Sequence, residues 1–360
     1  MHADPQPRDV LLRRLAVQRL TGQPLGQATD VVRLLTCVQS QEFAHALWSL
    51  GLRSGVTSQA DTQREFDAGR FVRTHVLRPT WHLVAAEDLR WVLQVTSARV
   101  QQINGSRYRQ LGLDRRQLDR GADVLTGVLR GTFLTRPELG DALRSEGIDV
   151  TDQRLAYLVM NAELEALICS GPLRGAQHTY ALVSERLPAQ QPWTADDALA
   201  ELTWRFFAGH GPAGLSDLTR WSSLTVATAT RGLEMVGDRL TRMEVAGQAL
   251  WFDGSAPEPA GDHDRALLLP LYDEATLSYP RLSFGLTPGH PHPPGTDLFV
   301  GSVILDAVNV GTWRRTVRGR TVLVETRLAA QVSASGRTAV AEAVAALASF
   351  LGKRLEHQPG

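Results

Sequence analysis

The sequence lacks the marks of several familiar classes of protein. Its only two cysteines, Cys37 and Cys169, argue against a disulfide framework and against a thiolate zinc site. No apolar run approaches the ~18 residues that a membrane span needs, and the N-terminus has no signal-peptide core, so we expect the protein to stay in the cytosol. We find no Gly-x-Ser-x-Gly elbow, Walker loop, dinucleotide fingerprint or His-Glu-x-x-His motif.

Lysine is almost absent as well, and the charges balance. Lys353 is the single lysine, so 37 of the 38 basic residues are arginine (38 − 1). A net charge of zero argues against a protein that coats DNA with a uniformly basic surface, but it allows a basic channel beside acidic surfaces.

The pair His290 and His292 lies in a Pro/Gly-rich loop and is a poor candidate for a metal site. We therefore expect neither a metal nor another cofactor.

What the sequence does contain is one local pattern written three times. Each copy is a helical stretch with an internal turn, followed by two β-type runs joined by a Gly- or Pro-marked turn. In the clearest copy, Thr135 and Glu138 are spaced as a capping box, and Arg174 lies at the tip of the strand turn. The elements predicted for this copy are a helix from residue 135, a second helix over 152–165, and strands at 166–170 and 178–183.

The other two copies follow the same order less regularly. In the third, Ser216 and Thr225 are predicted to cap two short helices ahead of a hairpin. In the first, the two strands flank a turn that contains Arg78. The predicted elements are helices at 10–20, 29–37 and 44–52 with strands at 71–76 and 80–84 in the first copy, and a helix at 194–208 with strands at 240–245 and 249–252 in the third.

Helix, turn, helix and hairpin together are the outline of a winged helix, which typically inserts its second helix into a DNA groove and touches the backbone with its wing. Three such units in one chain favour a protein that wraps a duplex. The other interpretation is three helix-plus-hairpin units that pack on one another and bind no ligand.

The chain after residue 252 has a different composition. Residues 253–264 read as a linker, and alternating runs then predict a small β domain. Arg314, Arg315, Arg318 and Arg320 surround the last predicted hairpin. They indicate either a DNA contact or a charged edge strand that prevents aggregation. The predicted elements of this domain are strands at 266–271, 298–305, 310–317 and 321–327 and a covering helix at 340–355.

Gln39-Ser40-Gln41 is the one unusual polar string, and we expect it in a loop between two helices. In extended backbone, residues two apart point the same way, so both amides can address one target. An amide accepts from water and donates to sugar or phosphate oxygens, but it is a weak base. Such a pair therefore suits only a reaction with a good leaving group. A capping or loop role remains the alternative.

The chain resembles the winged-helix DNA-binding family of the AlkZ- and YcaQ-type alkylpurine DNA glycosylases. The resemblance covers nearly the whole chain in the expected order. The segments that carry it are VQSQ (38–41), ALWSLGL (46–52), RTHVLRPTWHLV (73–84), LICSG (167–171), QHTYAL (177–182), GHGP (209–212), WS (221–222), LPLYDE (269–274) and GTWRR (311–315).

The resemblance implies an α+β fold of three tandem winged-helix units followed by a small C-terminal β domain with a covering helix. Gln39 and Gln41 fall on the two glutamines of a catalytic Gln-hydrophobic-Gln motif, which places the chain nearer the AlkZ-like subgroup, although Ser40 departs from the hydrophobic middle residue. His82 and Asp273 are possible site-lining residues. The expected units are 8–100, 101–188 and 192–253, with the β domain at 264–356.

These observations leave two functions open. The first is a monofunctional DNA glycosylase that excises bulky or crosslinking N-alkylated purines from duplex DNA, with a role in self-resistance to a genotoxin. The second is a non-catalytic winged-helix DNA-binding protein such as a transcription regulator. A regulator normally dimerises on a palindrome, whereas three units in one chain favour a monomeric lesion reader. Its predicted DNA contacts are Arg78, Arg174, Arg314, Arg315, Arg318 and Arg320.

Overall fold

The computed structural model describes residues 6–259, 265–286 and 299–359, and its architecture is mixed α+β, as predicted. The histidine pair at 290 and 292 lies outside these ranges. Within them, no helix is long and apolar enough to cross a membrane.

The first segment contains a three-stranded antiparallel sheet in which β1 and β2 flank β3. The sequence prediction missed α4, which begins behind the cap residue Ser58. That helix buries only Thr62 and Phe66, so its sequence shows little apolar periodicity. The elements of this segment are α1 (Pro7–Val17), α2 (Ala28–Leu35), β1 (Cys37–Gln39), α3 (Phe43–Ser54), α4 (Gln59–Asp67), β2 (Phe71–Arg78) and β3 (Thr80–Ala85).

The second segment repeats this order of strands, with β6 between β4 and β5. The predicted capping box is present, because the Glu138 carboxylate accepts from the backbone N–H and the hydroxyl of Thr135 at 2.6 and 2.8 Å. The sequence analysis predicted no helix at α5 or α6, and α5 runs without a break across the predicted boundary at 100/101. The elements are α5 (Leu89–Gln110), α6 (Arg115–Val128), β4 (Leu134–Thr135), α7 (Arg136–Ser145), α8 (Arg154–Leu164), β5 (Ile168–Ser170), β6 (Thr179–Leu182) and α9 (Val183–Arg186).

The third segment has the same plan with its first strand reduced to one residue. Ala213 forms an isolated antiparallel bridge to Trp251 in the last strand of this segment. Thr225 caps a helix as predicted. Ser216 does not, because it lies inside the preceding helix, which begins at Leu215 behind Gly214. The elements are α10 (Ala195–His210), α11 (Leu215–Ser222), α12 (Val226–Val236), a 3-10 turn (Gly237–Arg239), β7 (Thr241–Val245) and β8 (Gln248–Phe252).

The C-terminal part is a five-stranded sheet, ordered β13-β12-β11-β10-β9, with α14 packed on it. The prediction of a helix over 340–355 was wrong at both ends, because the helix runs from Ala334 to Phe350. The helix stops at Phe350, Gly352 takes a left-handed φ of 61°, and β13 pairs parallel with β12. The elements are β9 (Ala266–Leu269), α13 (Glu274–Leu277), β10 (Gly301–Leu305), β11 (Val308–Arg318), β12 (Thr321–Leu328), α14 (Ala334–Phe350) and β13 (Arg354–Pro359).

Contacts of Trp48 and Arg73 help to hold the first segment against the rest of the protein. Trp48 of α3 donates its indole N–H to the Leu268 carbonyl at 2.8 Å and packs against Phe350 of α14, with ring centroids 5.1 Å apart. On the other side, the Arg73 backbone N–H donates to Ser170 Oγ at 2.8 Å. The first segment is therefore wedged between the second segment and the C-terminal sheet.

Candidate active site

The two glutamines lie at the end of an edge strand, and the expectation of a loop was wrong for the first of them. Gln39 belongs to β1, pairs with His82 of β3 and is only 7% exposed. The next residue, Ser40, is fully buried and donates its backbone N–H to the Trp81 carbonyl at 2.8 Å. Residues 37–39 form a strand because their backbone pairs with β3, a partner more than 40 positions away in sequence.

Gln39 and Gln41 differ in exposure. The Gln39 amide oxygen accepts from the backbone N–H of Gln41 at 3.2 Å, whereas the Gln41 side chain is exposed. The sequence argument assumed that extended backbone continues through both residues, but the strand ends at Gln39 and the chain bends. The Gln39 amide is thus bound to the backbone of Gln41, and the Gln41 amide faces solvent.

Arg73 connects residues 39–41 to a pocket that the sequence analysis did not predict. Its guanidinium donates to the Ser40 carbonyl at 3.0 Å and the Gln41 carbonyl at 3.4 Å, and lies 4.1 Å from the centre of the Trp81 ring. Burial lowers the pKa of Arg73 to about 10. The pocket measures about 260 Å³ and is lined by Arg73, Trp81, Thr135, Arg136, Pro137, Gln177, His178 and Tyr180.

His82 is close to the glutamines but is buried in the sheet. One ring nitrogen, Nδ1, lies 2.9 Å from the Thr80 carbonyl, and Nε2 lies 3.3 Å from Arg78 Nη2. Burial, and after it the charge of Arg78, keeps the pKa of His82 well below its ordinary value. A neutral ring that donates from Nδ1 and accepts at Nε2 satisfies both contacts. At least one nitrogen of the Arg78 guanidinium is therefore used in a contact within the protein.

Asp273 lies in a buried network. Its carboxylate receives two hydrogen bonds from Arg53, at 2.7 and 2.9 Å, and one from Ser49 at 2.7 Å. It also caps α13 by accepting from the Ala275 N–H at 2.9 Å. Burial alone would raise the pKa of Asp273, but the charge and hydrogen bonds of Arg53 leave that pKa below its ordinary value. Asp273 thus connects α3 to the C-terminal part.

The residue that sequence reasoning missed is Glu274. It is fully buried, and its Oε1 accepts from the backbone N–H of Gln39 at 2.8 Å. The segment 269–274 was noted only for its resemblance, and only Asp273 was singled out. A second acidic residue beside Asp273 in an otherwise apolar stretch was the available signal, because buried carboxylates require partners.

The basic hairpin β11–β12 presents its arginines in different environments. Arg314 forms a two-point ion pair with Glu325 at 2.7 and 2.8 Å. Arg315 is largely buried, which lowers the pKa of its guanidinium to about 10. Arg318 and Arg320 flank the turn at Gly319 and are exposed. In the second segment, Arg174 pairs with Glu138 at 2.7 Å.

Comparison with known proteins shows to which family this architecture belongs. The solved structure of the DNA glycosylase AlkZ from Streptomyces sahachiroi matches with a TM-score of 0.80, covering 99% of this chain and 100% of that one at 21% identity, so the two share a fold. A model of the AlkZ-like DNA glycosylases matches residues 32–350.

The chain therefore belongs to the AlkZ-like DNA glycosylase family, which confirms the predicted resemblance and the prediction of a glycosylase. Among similar proteins is an interstrand DNA cross-link repair glycosylase from Streptomyces sahachiroi, 26% identical over 253 residues, which are 67% of this chain and 68% of that protein.

Proposed function

We propose that this glycosylase hydrolyses the bond between deoxyribose and a bulky or crosslinking N-alkylated purine in duplex DNA, and that Gln39 and Gln41 are its catalytic residues. The observation that carries the proposal is the placement of both glutamines at the end of β1, next to the Arg73–Trp81 pocket. A named relative repairs interstrand cross-links, which supports a crosslinking lesion and a role in resistance to a genotoxin.

The chemistry fits weakly basic amides. Alkylation at N7 of guanine or N3 of adenine makes the base cationic and therefore a good leaving group. The enzyme then has to position a water and stabilise the positive charge that develops on the sugar. The exposed Gln41 amide is available to hold that water. The Gln39 carbonyl keeps one lone pair for it, because a carbonyl oxygen accepts two hydrogen bonds and the Gln41 N–H uses one.

The three helix-and-hairpin segments support the DNA-binding half of the proposal. In each, the first strand or bridge pairs with the third strand, which also pairs with the second. We assign all three as winged helices, over about residues 8–100, 101–188 and 192–253, followed by the β domain at 264–356. We expect a monomer that wraps the duplex, with phosphate contacts from the exposed arginines.

The test is release of free base from a duplex that carries N7-alkylguanine, with parallel detection of abasic sites. We expect Gln41→Ala to lower the single-turnover rate roughly 10–1000-fold, because one positioning or charge-stabilising group is removed. Gln23→Ala, an exposed glutamine between α1 and α2, is the matched control and should retain the full rate. Equal rates in the wild type and a Gln39→Ala/Gln41→Ala variant would remove the catalytic assignment, and an inactive wild type would remove the substrate.

A further inference from the structure

The strand that carries Gln39 is completed on its open edge by a side chain. β1 pairs with β3 on one side only, because it is an edge strand of its sheet. On the other side, the Gln39 N–H donates to Oε1 of Glu274, 235 positions away in sequence, at 2.8 Å. A buried backbone N–H needs a partner, and here a carboxylate takes the place of a neighbouring strand.

Glu274 is itself held in place. Its Oε2 accepts from Ser278 Oγ at 3.0 Å, and the preceding residue, Asp273, is bound by Arg53 and Ser49. Both of these partners of Asp273 lie on α3, the helix that begins just after residues 39–41. Two adjacent acidic residues of the C-terminal part therefore hold residues 39–41 from both sides. Glu274 binds the strand β1 before them, and Asp273 binds the helix α3 after them.

We propose that Glu274 is a positioning residue for base excision, an inference that rests on the catalytic role proposed for the glutamines. It contacts the main chain of Gln39 and none of the groups assigned to the chemistry. Since Gln39 Oε1 in turn accepts from the Gln41 N–H at 3.2 Å, one carboxylate fixes the position of both glutamines. Displacement of a reacting group by about 1 Å can cost about 100-fold in rate.

Two substitutions separate the effect of the length of the Glu274 side chain from the effect of its charge. Glu274→Asp keeps the carboxylate but withdraws it by one methylene from Gln39. Glu274→Gln keeps the length and an acceptor oxygen but removes the charge. We expect Glu274→Asp to lower single-turnover base release about 10–100-fold, with affinity for the same duplex unchanged within about twofold. Glu274→Gln should stay within about threefold of the wild type, because its carbonyl still accepts from Gln39.

Ser333→Ala is the control for a purely structural effect. It removes the cap of α14, where Ser333 Oγ accepts from the Gly336 N–H at 3.1 Å, so it should lower the urea midpoint and leave the rate of the folded protein unchanged. Hydrogen exchange of the Gln39 amide gives a second measurement that does not depend on catalysis. That amide should exchange slowly in the wild type and in Glu274→Gln, and faster in Glu274→Asp.

Three results would overturn the inference. The first is a rate equal to that of the wild type in both Glu274 variants. The second is an active Glu274→Asp beside an inactive Glu274→Gln, and the third is unchanged hydrogen exchange of the Gln39 amide in Glu274→Asp. A wild type that releases no base would refute the proposed function alone, and the exchange measurement would still decide the role of Glu274.

Discussion

The end of β1 and the tip of the β11–β12 hairpin both carry residues that we assign to DNA, but the two regions are built in opposite ways. Gln39 is buried and bound by Glu274 across more than 200 positions of sequence. Arg318 and Arg320 are exposed and project from a turn that local pairing of adjacent strands creates. Chemistry requires a fixed amide, whereas attraction of phosphates requires only a charge within reach.

This contrast indicates where substitutions act. Around the glutamines, a change should alter stability or rate through partners distant in sequence. At the hairpin tip, a change should alter only the affinity for DNA. Substitutions in either region, and at His45 of α3, which contacts the hairpin strand β11, can therefore break or refine the contrast.

The largest effect is expected from Arg53→Ala. This substitution leaves the Asp273 carboxylate buried without its counter-charge, and breaking a buried pair in this way costs about 3–5 kcal/mol of unfolding free energy. Arg33→Ala is the matched control, since Arg33 pairs with Asp30 and Glu87 at the surface, where such pairs contribute under about 1 kcal/mol. Urea unfolding measures both. Similar decreases in the two variants would mean that the Asp273 network does not anchor the site.

A smaller effect is expected at the hairpin tip. Arg318→Ala and Arg320→Ala should each weaken binding to duplex by about 1 kcal/mol or more and flatten the salt dependence by about one unit for each phosphate that is no longer neutralised. Single-turnover cleavage at saturating protein should remain intact. Titrations at two salt concentrations measure this, with Arg337→Ala on α14 as an exposed arginine outside the hairpin. Unchanged affinity and slope would make the hairpin a protected sheet edge.

The smallest effect is expected at His45, on the helix that follows the glutamines. Its Nδ1 accepts from the Leu271 N–H at 3.2 Å, and its ring stacks on Trp313 of the hairpin strand β11. Burial, and after it the charge of Arg315, lowers the pKa of His45 to about 4, from an ordinary value of 6.5.

As the pH falls, His45 therefore takes up a proton at a higher pH in the unfolded chain than in the folded chain. The stability that depends on the neutral ring is complete above about pH 6.5 and is lost as the pH falls towards about 4. His45→Asn keeps an acceptor and cannot titrate, so between about pH 7 and about pH 6 it should lose less stability than the wild type, by under about 1 kcal/mol. Identical pH dependence of the two urea midpoints would contradict the assignment.

Features that depend on neighbours along the chain could be predicted from the sequence alone. Capping residues and apolar periodicity predicted most helices, and alternating runs around Gly and Pro predicted the hairpins. The basic turn at Gly319 and the family followed from local motifs. The errors had different origins. No helix was predicted at α4, α5 or α6, and α4 is too polar to show a period. The covering helix stops at Phe350, and the residues after Gly352 pair with β12, a strand more than 30 positions earlier in the chain.

How the candidate site is held, in contrast, was settled by tertiary packing. That Gln39 belongs to a strand, that Glu274 completes the edge of that strand and that Asp273 binds Arg53 are contacts across 43 to 235 positions. No periodicity encodes such partners, because a buried polar group can be satisfied by any donor that the fold brings within about 3 Å. The sequence names the groups that carry chemistry, and the packing of α3 between β3 and the C-terminal sheet gives them their geometry.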